Sequence, residues 1–209
     1  MTINITPLGS EQRDEAARVL ARAFLTNPIN IAVFGPNSLA RNEAFFRLGL
    51  KLMKGKKLVA ADGTRIVGVI HWVESPQCQV TTPEKIGMMP RMLSVFGLRT
   101  TFRVVSWLGK WAEHDPPERH SHLGPLGTEP QAQEQRVGRR LMEKYCEELD
   151  KEALDGYLET DKLTNVAFYQ RFGFETTGTM PVLSALPTTL CSESRDRDKV
   201  RASVHGTER

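Results

Sequence analysis

One stretch, residues 121–174, does most to limit what this chain can fold into. It opens on an apolar run, His122-Leu123-Gly124-Pro125-Leu126-Gly127-Thr128, which reads as a strand and turns at Glu129-Pro130. Residues 131–138 form a loop. A helix then reaches about Ala153, with Leu141, Tyr145 and Leu149 in one apolar row and Met142, Cys146 and Ala153 beside it. Arg139, Glu143, Lys144, Glu147 and Lys151 fall on the outward face, which leaves Cys146 as packing. A second strand, residues 156–160, and a short helix carrying Asn165-Val166-Ala167-Phe168-Tyr169 follow, closed by Phe172-Gly173-Phe174. The order is strand, loop, helix, strand, helix.

The loop-to-helix junction is the first chemical feature. A helix N-terminus presents unpaired N–H groups and the positive end of its dipole, which suits a phosphate. Gly138 lets the backbone approach such a ligand, and Arg136, Arg139 and Arg140 surround it with positive charge. The loop lacks the Gly-Lys-Ser/Thr of a nucleotide-triphosphate loop and the G-x-G-x-x-G of a dinucleotide fold. A basic first turn also occurs as plain solvated surface, so the junction alone does not decide.

Together these motifs resemble motifs A and B of the GNAT N-acetyltransferases, and most nearly the puromycin N-acetyltransferase branch. The likeness lies in Leu123-Gly124-Pro125-Leu126-Gly127, in Gln133, Arg136 and Gly138 of the loop, in Tyr157-Leu158-Glu159-Thr160, and in Asn165 to Tyr169 before Gly173-Phe174. The resemblance implies an α/β fold: a mixed, mostly antiparallel sheet with helices on both faces, splayed where acetyl-CoA enters. It implies that the backbone of Leu126, Gly127 and Thr128 pairs with the pantetheine arm and offers an N–H to the thioester oxygen. Gln133, Glu134, Gln135, Arg136, Val137, Gly138 and Arg139 would hold the pyrophosphate, with Gln133, Gly138 and Arg139 foremost. Asn165 would touch the cofactor or cap the short helix. Tyr169 would be the general acid, since a phenol with a pKa of about 10 stays protonated at neutral pH. Glu159 would take the amine proton or anchor a cationic acceptor, with His122 as an alternative base. Three positions depart from the pattern: Glu134 and Arg136 stand where relatives carry Gly, and Lys162 where many carry Asn.

The rest of the chain reads as follows. Residues 3–6 form an edge strand. Ser10 caps a helix bearing Ala16, Leu20, Ala23 and Phe24, which Asn27-Pro28 ends. Residues 39–54 form a helix with Phe45, Leu48, Leu52 and Met53 on its buried side. Residues 57–61 and 66–73 form a hairpin about Asp62-Gly63. His71 and Trp72 are either acceptor contacts or packed strand residues. Thr82 caps a helix with Pro83 at its first position, Pro90 breaks it, and Phe96-Gly97 interrupts it. Leu98, Phe102, Val105, Leu108 and Ala112 form a second stripe. Met88, Met89 and Met92 are core or an adaptable pocket wall. His114-Asp115-Pro116-Pro117 is a loop, and residues 174–182 and 188–192 are two further strands.

The 209 residues, 40% hydrophobic and 25% charged, fit one domain over 1–191, with a charged tail over 192–209 too polar to pack. A net charge of +3 without a Lys/Arg stripe implies no nucleic acid. With no secretory signal and no long apolar run visible, a cytoplasmic protein away from membranes is expected. Cys78, Cys146 and Cys191 are scattered, and read as reduced thiols, not as a disulfide frame or a metal site. The expected activity is direct transfer of an acetyl group from acetyl-CoA to a small-molecule amine. Alternatives are a protein or peptide amine as acceptor, or CoA binding without turnover. A homodimer is compatible with these features.

Overall fold

Asp62 and Arg65 pair across the two-residue turn Gly63–Thr64, and Gly63 takes a φ of 60° that an L side chain resists. The computed structural model describes residues 2–183 and 186–193. In chain order the elements are β1 (Ile3–Pro7), α1 (Arg13–Ala23), α2 (Pro28–Phe34), α3 (Leu39–Leu52), β2 (Lys56–Asp62), β3 (Arg65–Glu74), α4 (Thr82–Ala112), β4 (His120–Thr128), a 3-10 turn (Pro130–Ala132), α5 (Val137–Glu152), β5 (Asp155–Thr160), α6 (Leu163–Gln170), β6 (Glu175–Val182) and β7 (Leu186–Glu193). The strands form one sheet in the order β1-β2-β3-β4-β5-β7-β6. Among the described residues only β4 and β5 run parallel; every other pair is antiparallel. The expected α/β class and mixed sheet are what the chain forms.

Three apolar clusters hold the layers. Leu141, Met142, Tyr145 and Leu149 of α5 pack on Ile70, Trp72, Leu123 and Leu158. Ala16, Leu20 and Ala21 of α1 pack on Val59, Ile66 and Val69, with Phe46 and Leu50 of α3. Phe34, Met92, Phe96, Val104 and Trp107 gather α2 and α4 against Met180 and Val182 of β6.

Several expectations are corrected. Ser10 does not cap α1; Gln12 holds the cap position, and the Ser10 hydroxyl pairs with Glu11. Asn27-Pro28 starts a helix instead of ending one, because the Asn27 side chain accepts from the Ile29 N–H and Pro28 sits at the first helical position. On α3 the buried residues are Asn42, Phe46 and Leu50, while Met53 is exposed. Thr81, not Thr82, caps α4, in a reciprocal box with Glu84. Pro90 lies inside α4; Ile86, whose carbonyl it leaves without a partner, is solvent-exposed, so water can take that carbonyl. The break falls at Gly97, with φ 71° and ψ 171°.

Beyond Gly97 both sides of α4 are apolar, so spacing alone cannot choose between them. Val104 and Trp107 are buried, and Leu98 and Phe102 are 78% and 72% exposed. His71 and Trp72 are packed strand residues: Trp72 lies against Tyr145, and the His71 Nε2–H donates to the Lys54 carbonyl at 2.6 Å. Burial holds the His71 pKa down at about 4, so the ring is neutral. β7 runs through Ser192 to Glu193, so the expected tail does not begin at 192; from 194 it lies outside the described residues. No helix of the described residues is long and apolar enough to cross a membrane.

Candidate active site

β4 is the strand on which the site is built. On one edge it keeps β3 as partner to its end, with Ile70, Val69 and Gly68 opposite Leu126, Gly127 and Thr128. On the other edge it meets β5 only where His120, Ser121 and His122 pair with Asp155, Gly156 and Tyr157. Past that point the two parallel strands part. The cause is local. Between Ile70↔Leu126 and Trp72↔Leu123, two β4 residues, Gly124 and Pro125, oppose the single residue His71. Such a bulge bends its strand, and Pro125 has no N–H to lose there. A Cβ on Gly124 would lie 2.5 Å from His71 Nδ1, so the imidazole fills the space that glycine leaves. The free edge of Leu126, Gly127 and Thr128 therefore offers unpaired N–H and C=O groups to an extended ligand.

The end of this edge is fixed by a half-buried ion pair that sequence reasoning did not find. Glu129, 1% exposed, accepts from the Arg22 guanidinium at 2.7–3.0 Å through both carboxylate oxygens. Gly127 lets α1 approach: a Cβ there would sit 2.9 Å from Leu20 Cδ2.

The loop and the start of α5 lie beside Thr128. A Cβ on Gly138 would meet Thr128 Cγ2 at 3.5 Å and Phe168 Cζ at 3.9 Å, so Gly138 stands between the end of β4 and α6. Gln133, Glu134, Gln135, Arg136 and Arg139 are exposed around it. Val137 is buried in the core, which leaves only its backbone N–H for a ligand. Arg139 donates to Glu143 at 2.8 Å along the helix. The departures at Glu134 and Arg136 have a plain geometric reading. Their φ angles are 67° and 62°, the left-handed region that glycine enters freely. The loop thus keeps a glycine-type path with non-glycine residues, at a cost of roughly 1–2 kcal/mol each. Arg136 is the cap residue of α5 and makes no side-chain cap bond.

The two catalytic candidates sit either side of β5. Leu158 packs into the α5–α6 core with Tyr169, whose ring meets Phe168 and Phe174. Burial, assisted by Cys191, raises the Tyr169 phenol above its usual pKa and keeps it protonated. Glu159, one residue on, points to the opposite face. Its Oε2 accepts from His122 Nε2 at 2.9 Å, and its buried Oε1 has no partner. Burial works against charge on His122, but Glu159 and Asp115 outweigh it and hold its pKa well above the usual value. Asp115, read from sequence only as part of a loop, faces His122 Nδ1 at 3.0 Å. Glu159 lies 37 residues beyond His122, so no local spacing links the two and only the fold reveals the group.

Asn165 is not a cap. Lys162 holds that position, and the Asn165 amide donates to Thr160 Oγ1 at 3.2 Å, tying α6 to the end of β5. Lys162 itself donates to Thr26 at 3.1 Å.

Residues 103–176 match the family described as "Acetyltransferase (GNAT) domain". Across 93% of this chain and 97% of the other, the fold is similar to an acetyltransferase of Corynebacterium glutamicum described as "histone acetyltransferase HPA2 and related acetyltransferase", with a TM-score of 0.71 and 22% identity. The protein has a GNAT acetyltransferase fold. An agmatine N-acetyltransferase superimposes with a TM-score of 0.62 at 14% identity, over 91% of this chain and 98% of that one. A Drosophila melanogaster polyamine N-acetyltransferase gives 0.59 at 14%, over 92% and 100%. The match to the GNAT acetyltransferase domain supports an N-acetyltransferase.

Proposed function

We propose that this protein transfers an acetyl group from acetyl-CoA directly to the amine of a small molecule. The observation that carries the reading is the free β4 edge of Leu126, Gly127 and Thr128 ending beside Gly138 at the start of α5. An extended pantetheine arm pairs with the first, and a pyrophosphate suits the second. The residues present fit that ligand: no side chain at Gly138 blocks the helix N-terminus, and the loop holds its turn at Glu134 and Arg136.

The chemistry then needs two proton movements. The acceptor nitrogen attacks the thioester carbonyl, a C–N bond forms and the C–S bond breaks. Glu159, directly or through a water, takes the proton the nitrogen loses, and Tyr169 gives one to the departing thiolate. A β4 backbone N–H holds the carbonyl oxygen while it carries negative charge. Proteins of this fold that act on agmatine and on polyamines suggest a basic amine, which a buried carboxylate would attract. The sequence motifs point to the puromycin N-acetyltransferase branch.

Free thiol released from acetyl-CoA, measured over agmatine, a polyamine, an arylalkylamine, an aminonucleoside and a peptide N-terminus, tests the reading. Thiol release and acetylated product with one of the small amines support it. Acetyl-CoA binding with no turnover on any amine would leave a CoA-binding protein, and turnover on the peptide alone would shift the acceptor class.

A further inference from the structure

Four side chains converge at the foot of α4, and one of them, His122, also bonds Glu159. Cys78, Asp115, His120 and His122 bring one ligand-type atom each within 4.8 Å of all the others. Cys78 lies in the turn between β3 and α4, Asp115 in the loop just after α4, and the two histidines at the start of β4. Cys78 Sγ is 3.9 Å from His120 Nε2, and Asp115 Oδ1 is 3.0 Å from His122 Nδ1.

The hydrogen bonds behind the rings decide what faces the cluster. His120 Nδ1 is 2.8 Å from the Glu118 carbonyl, which only accepts, so Nδ1 carries the hydrogen and Nε2 turns a lone pair toward Cys78. His122 Nε2 donates to Glu159 at 2.9 Å, so Nδ1 is the ring atom turned toward Asp115, and its proton is the one a metal would displace. A carbonyl or carboxylate behind an imidazole is the arrangement that orients a metal-bound histidine. The second Asp115 oxygen is held by the Gln79 amide. Asp115 Oδ1 and His122 Nδ1 are both buried, close, and without hydrogen-bond alignment, on side chains that are 7% and 15% exposed. Two such acceptors repel unless a positive centre joins them. A proton on His122 serves those two atoms; a divalent cation serves all four.

We propose that Cys78, Asp115, His120 and His122 bind a zinc ion that fastens both ends of α4 to β4. One thiolate, one carboxylate and two neutral imidazoles carry a charge that a dication balances, and this sulfur–nitrogen–oxygen set suits zinc. Zinc bonds of about 2.0–2.3 Å at the tetrahedral angle place ligand atoms roughly 3.3–3.8 Å apart, against 3.0 and 3.9 Å for the two closest pairs described here and at most 4.8 Å for the rest. Four protein ligands close the coordination shell, so the ion is structural. The need is evident: α4 is a 31-residue excursion broken at Gly97, with much of its apolar surface facing solvent.

The test is cobalt(II) and zinc titration of the chelator-stripped full chain. The expected result is one equivalent bound, with a thiolate-to-cobalt charge-transfer band and the strong visible absorption of a tetrahedral site. Cys78→Ser should lose the band, and Cys146→Ser should keep it. Glu159→Gln should keep the band while weakening cobalt binding about 10- to 100-fold, the effect of losing an outer partner. Zinc should raise the Tm of the wild type and leave that of Cys78→Ser unchanged. Absence of the band in the wild-type protein, or its survival in Cys78→Ser, overturns the proposal without needing a folded variant. Absorption and stoichiometry are read without turnover, so failure here leaves acetyl transfer standing.

Discussion

The two ends of β4 are built in opposite ways. At its start, Ser121 and His122 have strands on both edges, His120 pairs with β5, and the imidazoles reach Glu118, Asp115 and Glu159. At its finish, Leu126, Gly127 and Thr128 carry no ionisable side chain and have a strand on one edge only. The first end places its chemistry in side chains and satisfies its backbone; the second leaves its backbone free and keeps its side chains inert. The Gly124-Pro125 bulge is the boundary. A strand that ran straight would pair with β5 throughout and leave no edge for a ligand.

The largest expected effect is at Tyr169, across β5 from Glu159. Tyr169→Phe keeps the ring against Phe168 and Phe174 and removes only the proton donor. We expect kcat to fall about 10²- to 10⁴-fold, with kcat/KM falling in step and acetyl-CoA affinity unchanged. Turnover within about twofold of wild type, with chemistry rate-limiting, would make Tyr169 a packing residue. Next comes the anchor of the open end. Arg22→Ala leaves Glu129 buried and unpaired, and such losses cost roughly 3–5 kcal/mol. Because the Arg22 side chain is 37% exposed, the lower end of that range is expected, read by urea denaturation. A loss below about 1 kcal/mol would show that the open end needs no anchor.

The boundary and the free end give smaller effects. Gly124→Ala forces a Cβ to 2.5 Å from His71 and should cost about 1–3 kcal/mol of overpacking. A shortened partner, His71→Ala, should recover part of that cost in the double variant; additive losses would show that the imidazole does not set the bulge. At Gly138 an added Cβ meets only ordinary contacts of 3.5 and 3.9 Å, so Gly138→Ala should fold and even gain helix stability. Its acetyl-CoA affinity should fall by about tenfold or more, ~1.4 kcal/mol, because the methyl stands where the phosphate approaches. Equal affinity by calorimetry would move the anion elsewhere.

The free end was legible in the sequence because its signals are local. Gly124-Pro125 next to Leu126-Gly127, the loop before a helix, and Tyr169 before Gly173-Phe174 each sit within a few residues. The paired end was not. His122 stood out only as an alternative base, and Asp115 and Cys78 join it only once α4 has folded back. The Arg22–Glu129 pair spans even more chain. On α4 the failure was of another kind: Trp107 and Val104 compete with Leu98 and Phe102 for the core, and helical period cannot rank two apolar faces. Packing volume decides, and the sequence does not display it.

The smallest expected effect sharpens what the loop costs. Arg136 caps α5 with a φ of 62° and no side-chain cap bond. Glycine takes that conformation freely and is acceptable at a helix cap, so Arg136→Gly should stabilise the fold by about 1 kcal/mol. Urea denaturation reads the gain directly, and no gain would mean that the guanidinium contributes an interaction that offsets the strain. The same variant separates two roles at the free end. If the guanidinium pairs with a phosphate, acetyl-CoA affinity falls while stability rises, and the loss shrinks as salt screens the exposed charge. If it only crowds the loop, affinity and stability rise together. Unchanged affinity at every salt concentration would show that the Arg136 side chain takes no part in holding the cofactor, which would leave the backbone N–H groups at Val137, Gly138 and Arg139 to do so.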